Sequence, residues 1–160
     1  MSHHGDVVVS VRRGDYYSVP RFRERYAFDV PDYVERAMAL SAARAPVREV
    51  HVVSDDIPWC RRHLDPLLRR FAGLVTYAED ASSPLHDLAT LAASPRLILA
   101  NSTFSYWGGY VSGVLHPDRH ADVVAPWFHA RFGDHFAAEQ LDPSWMIVHE
   151  STNGWGLPDD

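Results

Sequence analysis

Leu97-Ile98-Leu99-Ala100-Asn101-Ser102-Thr103-Phe104-Ser105-Tyr106-Trp107-Gly108-Gly109-Tyr110 decides how the rest of the chain is read. Its first four residues are an apolar run of strand length, and Asn101-Ser102-Thr103 is helix-capping chemistry. A buried strand should therefore turn into a helix here. The first turn of a helix leaves backbone N–H groups without intrahelical partners. With the hydroxyls of Ser102, Thr103 and Ser105 they would form a neutral, donor-rich cup of the kind that holds phosphate. The alternative is a well-capped helix whose Phe104, Tyr106, Trp107 and Tyr110 serve only the core, and this stretch alone does not separate the two.

Working outward, the same strand-to-helix rhythm recurs. Asp6 to Val11 is a β-branched run suited to an interior strand, and it delivers Arg12 and Arg13 to its C-terminal end. Gly14 to Asp29 reads as a long irregular loop with a helical turn around Arg21 to Tyr26. From Pro31 a helical period begins, with Tyr33, Val34, Ala37, Met38 and Ser41 on one side. Glu49 to Ser54 predicts a second strand ending in Asp55 and Asp56, followed by a helix from Pro58 that Pro66 should break or kink. Gly73 to Tyr77 predicts a third strand, Ser83 to Ala93 an amphipathic helix carrying His86 and Asp87, and Arg96 to Ala100 the fourth strand. Ala121 to Ala125 predicts a fifth. Trp145 to Val148 should pack back on the body, and Gly154 to Asp160 should fray. The fold class implied is α/β, a Rossmann-like parallel sheet with helices on both faces. Residues 1–150 form one domain and 151–160 a C-terminal tail. The polar clusters Arg12 to Asp15, Ser54 to Asp56 and Asn101 to Ser105 each follow a strand, and in such a sheet those points converge on the ligand-binding edge.

The composition is that of a globular protein, 46% hydrophobic and 22% charged, with no apolar run of membrane-spanning length. A net charge of -6 disfavours a general nucleic-acid or anionic-membrane surface but allows a local basic pocket. All 15 basic residues are arginine, the better fork for phosphate oxygens. The single cysteine, Cys60, rules out an internal disulfide framework and reads as a small core residue. Met1 to Asp6 is short and polar, unlike a signal peptide, so the default expectation is a cytoplasmic protein. His3 and His4 are left out of site reasoning.

Arg12 and Arg13 are neighbours at a strand end, so they point to opposite faces and one of them addresses the pocket. An arginine beside a helix start suits a diphosphate and the charge that grows there as a leaving group departs. The competing reading is a surface ion pair with Asp15 or Asp55. Asp55 and Asp56 suit capping of the next helix and orientation of a nearby arginine better than metal binding. His116 and His120 have helical metal-pair spacing, but Pro117 lies between them and no third ligand is apparent, so no metal is expected. Asp87 could accept two N–H bonds from a guanine or could simply favour the first turn of its helix.

Three segments, taken in order, resemble successive motifs of the alpha-1,2-fucosyltransferases: Ser10-Val11-Arg12-Arg13-Gly14-Asp15-Tyr16, Val53-Ser54-Asp55-Asp56-Ile57-Pro58-Trp59-Cys60, and Asn101 to Gly109. Val124-Ala125-Pro126-Trp127-Phe128 resembles the strand that follows them, and the resemblance runs from Asp6 to Trp145. It implies the C-terminal, donor-binding half of a GT-B glycosyltransferase that transfers fucose from GDP-fucose, with inversion and without a metal or other cofactor, to a glycan acceptor ending in galactose. It also implies roles for individual residues. Arg12 would hold the donor β-phosphate and stabilise the leaving group, with Arg13 beside it. Asn101, Ser102, Thr103 and Ser105 would form the phosphate-side turn, Asp87 would read guanine, and Asp55 and Asp56 would support the pocket. Two departures from the family pattern stand out. Ser10 occupies the position of a histidine, and the front, acceptor-side domain with its Gly-Asn-Gln-type motif appears absent. A truncated enzyme, or one completed by a partner chain or front domain, is the first expectation. The alternatives are a non-catalytic GDP or GDP-sugar binding module and a structural remnant whose aromatic helix mediates association.

Overall fold

The computed structural model describes residues 6–79 and 83–155. Its strands are β1 (Val7–Val11), β2 (Glu49–Ser54), β3 (Leu74–Tyr77), β4 (Leu97–Ile98), β5 (Val123–Pro126), β6 (Ala130–Phe132), β7 (His135–Ala137) and β8 (Met146–Val148). Six of them form one sheet in the order β3-β2-β1-β4-β5-β8. Every neighbouring pair in that sheet is parallel. The helices are α1 (Gly14–Ser18), α2 (Pro20–Tyr26), α3 (Val30–Arg44), α4 (Ile57–His63), α5 (Asp65–Leu68), α6 (Pro84–Ala93) and α7 (Thr103–Leu115).

The sheet is buried on both faces, which is why β1 is almost wholly valine and all five of its residues are buried. Its alternation divides the core. Val7, Val9 and Val11 pack with Tyr33, Val34, Ala37 and Met38 of α3, Cys60 of α4 and Leu68 of α5. Val8 points the other way, into a cluster with Leu91 of α6, Tyr106 of α7 and Trp145. The result is an α/β, Rossmann-like fold with its switch point between β1 and β4, where the strand order reverses direction.

Local chemistry sets the helix ends. Asp29, Asp56, Ser83 and Ser102 each accept a backbone N–H three residues on, at the starts of α3, α4, α6 and α7. The buried Arg96, just ahead of β4, donates to the carbonyls of Ser41, Ala45 and Pro46. It thereby satisfies the C-terminal end of α3 with a cation and ties that helix to the sheet. Gly108 and Gly109 let α7 lie close to its neighbours, since a Cβ there would come within 2.7 Å of Leu91 or 2.8 Å of Leu99 and Trp145.

Several expectations from the sequence need correction. Within Gly14 to Asp29 the helical turn expected around Arg21 to Tyr26 is α2, but the stretch ahead of it is not loop: it forms a second short helix, α1, with no side-chain cap to announce it. The fourth strand is short, Leu97–Ile98, although the Arg96 carbonyl still accepts the Val8 N–H at 3.0 Å and the Leu99 N–H donates to the Val124 carbonyl at 2.8 Å; Leu99 and Ala100 continue, buried, toward the site. Met146–Val148 does more than pack back: it pairs parallel with β5 as the sheet's edge strand. The β6-β7 hairpin, turning at Gly133 with φ +63°, had no counterpart in the sequence reading. The tail does not fray at Trp155, whose ring is buried against Phe28 and Phe128; Gly156 to Asp160 lie outside the described residues, as do His3 and His4. The ring Nε2 of His116 lies 3.0 Å from the Ala93 carbonyl oxygen, and the side chain of His120 lies outside the described residues. Among the described residues, no helix is long and apolar enough to cross a membrane.

Candidate functional site

A cleft of about 580 Å³ opens at the C-terminal edge of the sheet, on the α6 and α7 side of the switch point. Open parallel sheets expose their loops here, and ligand sites are the usual consequence. Ser10, Arg12 and Tyr16 reach it from β1 and α1, Ser54, Asp55, Ile57 and Pro58 from the end of β2, Glu79, Pro84 and Asp87 from β3 and α6, and Ser102, Thr103 and Phe104 from α7.

The two arginines part company at the end of β1, as the pleat requires. The Arg12 guanidinium faces the cleft, bonded to Asp15 at 2.6 Å and Asp55 at 3.2 Å. Asp55 is itself held by the Arg13 backbone N–H at 2.8 Å. Gly14 makes room for that carboxylate: at φ +21° it would place a Cβ only 2.4 Å from the Asp55 Oδ2, so a side chain there would push the acid away from Arg12. Arg13 faces the opposite side. Its guanidinium lies between the rings of Tyr17 (3.9 Å) and Trp59 (4.1 Å), and it borders a separate cavity of about 390 Å³. Asp56 approaches Arg13 Nε at 3.9 Å and caps α4 through the Trp59 N–H at 3.1 Å.

At the start of α7 the four polar residues divide into scaffold and surface. The Ser102 hydroxyl accepts the Ser105 N–H at 3.2 Å, and the fully buried Ser105 hydroxyl accepts the Ala100 N–H at 2.9 Å. The Asn101 amide donates to the carbonyls of Tyr26 and His129, which pins the loops after α2 and β5 to the end of β4. Ser102 and Thr103 line the cleft, and the N–H groups of Thr103 and Phe104 belong to the first turn, which has no intrahelical acceptors. The structure therefore gathers Arg12, Asp55, Asp87, Ser102 and Thr103 into one cleft and leaves Arg13, Asp56, Asn101 and Ser105 supporting it from outside.

Sequence reasoning did not single out Tyr16, Glu79 or Phe104. Tyr16 stacks on Tyr26 at 4.3 Å between centroids, with Arg12 Cζ 5.0 Å from its own ring. Burial pushes its hydroxyl up to about 12, so it stays a neutral donor at physiological pH. Glu79 follows β3 as Asp55 follows β2; the rule that polar residues gather after strands would have found it. Electrostatically, the cleft lining holds a cation, Arg12, together with the positive start of the 13-residue α7, and the carboxylates Asp55, which pairs with Arg12, Glu79 and Asp87. Cys60, behind this site, is buried, and burial pushes its thiol up to about 11, so it behaves as packing.

Comparison with known proteins converges on one family. The model of "Glycosyl transferase family 11" matches residues 2–116. The chain is 34% identical over 109 residues to galactoside alpha-(1,2)-fucosyltransferase 1 of Lagothrix lagotricha, and 32% identical over the same length to those of Sus scrofa and Homo sapiens. These matches cover 67% of this chain, and the chain spans only 29% of the length of the relatives. No solved structure matches it.

Proposed function

Because the chain belongs to glycosyl transferase family 11, we propose that its cleft binds the nucleotide-sugar donor GDP-fucose and serves transfer of fucose to a galactoside hydroxyl with inversion. One observation carries the reading: a single cleft is lined by a cation, by the start of a helix, and by the carboxylates Glu79 and Asp87 in addition to the Asp55 that pairs with the cation. A guanosine diphosphate has the complementary polarity. Its diphosphate is doubly charged or more, and its base presents a ring N–H and an exocyclic amine side by side to a carboxylate. In this pose Asp87 accepts the guanine N–H groups, Ile57, Pro58 and Pro84 supply apolar surface to the base, and the β-phosphate meets Arg12 and the first-turn N–H groups of α7.

The reaction is a direct displacement. The acceptor oxygen forms a bond to the anomeric carbon while the bond from that carbon to the β-phosphate oxygen breaks, and the acceptor proton is lost to a base. Charge accumulates on the departing diphosphate, so Arg12 and the helix start act where the transition state differs most from the bound substrate. Asp55 keeps Arg12 extended toward that position through its 3.2 Å ion pair. The acceptor needs positioning of its own and exclusion of water, which we assign to a further domain or partner chain facing the cleft.

Calorimetric titration with GDP, using ADP and UDP as controls, tests the reading. Selective binding of GDP is the expected result. Equal affinity for all three nucleotides, or none for any, would remove the assignment.

A further inference from the structure

We propose that the outer face of α6 and α7 is a contact between two copies of this chain, paired about a two-fold axis. That face lies on the flank of the molecule, and its role does not depend on what the cleft binds. The two helical layers differ in what they show to solvent. On the side of the sheet that packs Val9, α3 and α4 present exposed charge at Glu35, Arg44, Arg61 and Arg62, as a solvated helix face does. On the side that packs Val8, every exposed residue of α6 and α7 is uncharged, with His86 neutral. Helix α7 carries no charged residue at any position. A helix that is apolar all round belongs in contact all round.

The open side of α7 is a regular stripe. Phe104, Trp107, Val111, Val114 and Leu115 recur at helical spacing, all exposed, with Trp107 at 61%, Val114 at 78% and Leu115 at 58%. The other side of the helix is already used: Gly108 lies against Leu91 of α6, and Gly109 against Leu99 and Trp145. Helix α6 runs alongside, tied to α7 by the Ser112 hydroxyl donating to the Ser94 carbonyl, and adds the exposed Leu85. The stripe begins at the cleft, which Phe104 lines, and over 11 residues it runs about 17 Å along the helix. A domain seated over the cleft meets it at Phe104, whereas Val114 and Leu115 stand on the flank.

A second copy fits that flank in charge and in area. With a net charge of -6, two copies repel one another over much of their surface, and this uncharged face lets them meet without burying a charge. Its six side chains leave on the order of 600 Å² uncovered per copy, at the upper end of what monomers expose. Pairing removes about 1,200 Å² in total, the lower end of the range for specific interfaces. About a two-fold axis the same stripe serves both copies, so the contact closes at two.

Sedimentation velocity of the full chain from about 1 to 100 μM tests the pairing, the span suited to an interface of this size. The mass should rise from 18.1 kDa to a plateau at twice that value. Val114→Glu and Trp107→Ser, at exposed positions where the fold loses little, should each weaken the association about tenfold or more. Leu40→Glu, on the exposed side of α3, should leave it unchanged. Added salt should not weaken the dimer, because it screens the repulsion between like-charged copies. A monomer at every concentration overturns the pairing and leaves the face to a different chain. A mass that climbs past the dimer without a plateau overturns the two-fold arrangement, and a dimer indifferent to both Val114→Glu and Trp107→Ser overturns the assignment of the face.

Discussion

Replacing Arg12 by alanine separates ligand binding from folding. The guanidinium is bonded to Asp15 at 2.6 Å and to Asp55 at 3.2 Å, with its side chain 38% exposed. Ion pairs that open to water contribute about 0–1 kcal/mol, so deletion should cost the fold no more than about 1 kcal/mol. For a domain of this size that corresponds to a fall in Tm of about 4 °C or less. The diphosphate stands to lose more. Charge-assisted hydrogen bonds contribute about 1.5–3 kcal/mol each, from which the modest ion pairs given up on binding are subtracted, leaving about 1–3 kcal/mol. Deletion also leaves Asp15 and Asp55 near the phosphate with no cation between, which adds repulsion. The expected outcome in calorimetry is a fall in GDP affinity of about 5- to 150-fold or more, with the melting curve nearly unmoved. If Arg12→Ala binds GDP within threefold of the unaltered chain, the phosphate role is wrong. If it unfolds, the ion pairs are structural and the energetic argument fails.

Asp87→Asn replaces one acceptor with a donor at the base end, so selectivity for GDP over ADP should fall about tenfold or more in competition binding, whereas affinity for inorganic diphosphate should not change. Ser105→Ala removes the acceptor for the buried Ala100 N–H and should cost about 1–3 kcal/mol in urea unfolding, a larger effect on stability than Arg12→Ala despite the absence of charge. Asp122 makes an acid limb. Burial raises its pKa, but the hydrogen bonds from Arg44 at 2.6 Å and from Arg119 outweigh that and hold the carboxyl below its ordinary 3.8. Its contribution is therefore fully present above about pH 4 and is lost as the pH falls through the depressed value. Stability measured across pH 2–6 should show a shallower acid loss in Asp122→Asn than in the unaltered chain, with the difference confined to the acid side of about pH 4.

Much of the fold was legible because its signals are local. An apolar run such as Val7 to Val11 can only be an interior strand in a chain of this composition, and the capping residues Asp29, Asp56, Ser83 and Ser102 mark helix starts through bonds spanning three residues. The clustering of polar residues after strands pointed to the edge at which the cleft opens, and strand alternation required that Arg12 and Arg13 diverge. The short helix α1 was missed, and α2 was read only as a helical turn around Arg21 to Tyr26, because much of what holds them is distant: Tyr17 bonds to Phe28, and Arg131 donates to the carbonyls of Glu24 and Ala27.

What the sequence by itself determined is thus the interior strands and the longer helices, the sheet edge at which the cleft opens, and the family, whose motifs lie in contiguous segments. What only the tertiary structure decided is which residues share that edge. Three-residue β8 becomes a strand only because β5 offers it an open side, a pairing that carries no local period. Asn101 and Ser105 look identical to Ser102 and Thr103 as polar residues at a helix start, yet their hydroxyl and amide groups are spent on Ala100, Tyr26 and His129. Glu79 comes to line the same cleft as Arg12 because β3, β2 and β1 lie side by side in the sheet, and Asp87 does so from α6. The physical reason is the same in each case. Parallel pairing and buried hydrogen bonding are satisfied by partners distant along the chain, and a linear pattern does not encode which distant partner is taken.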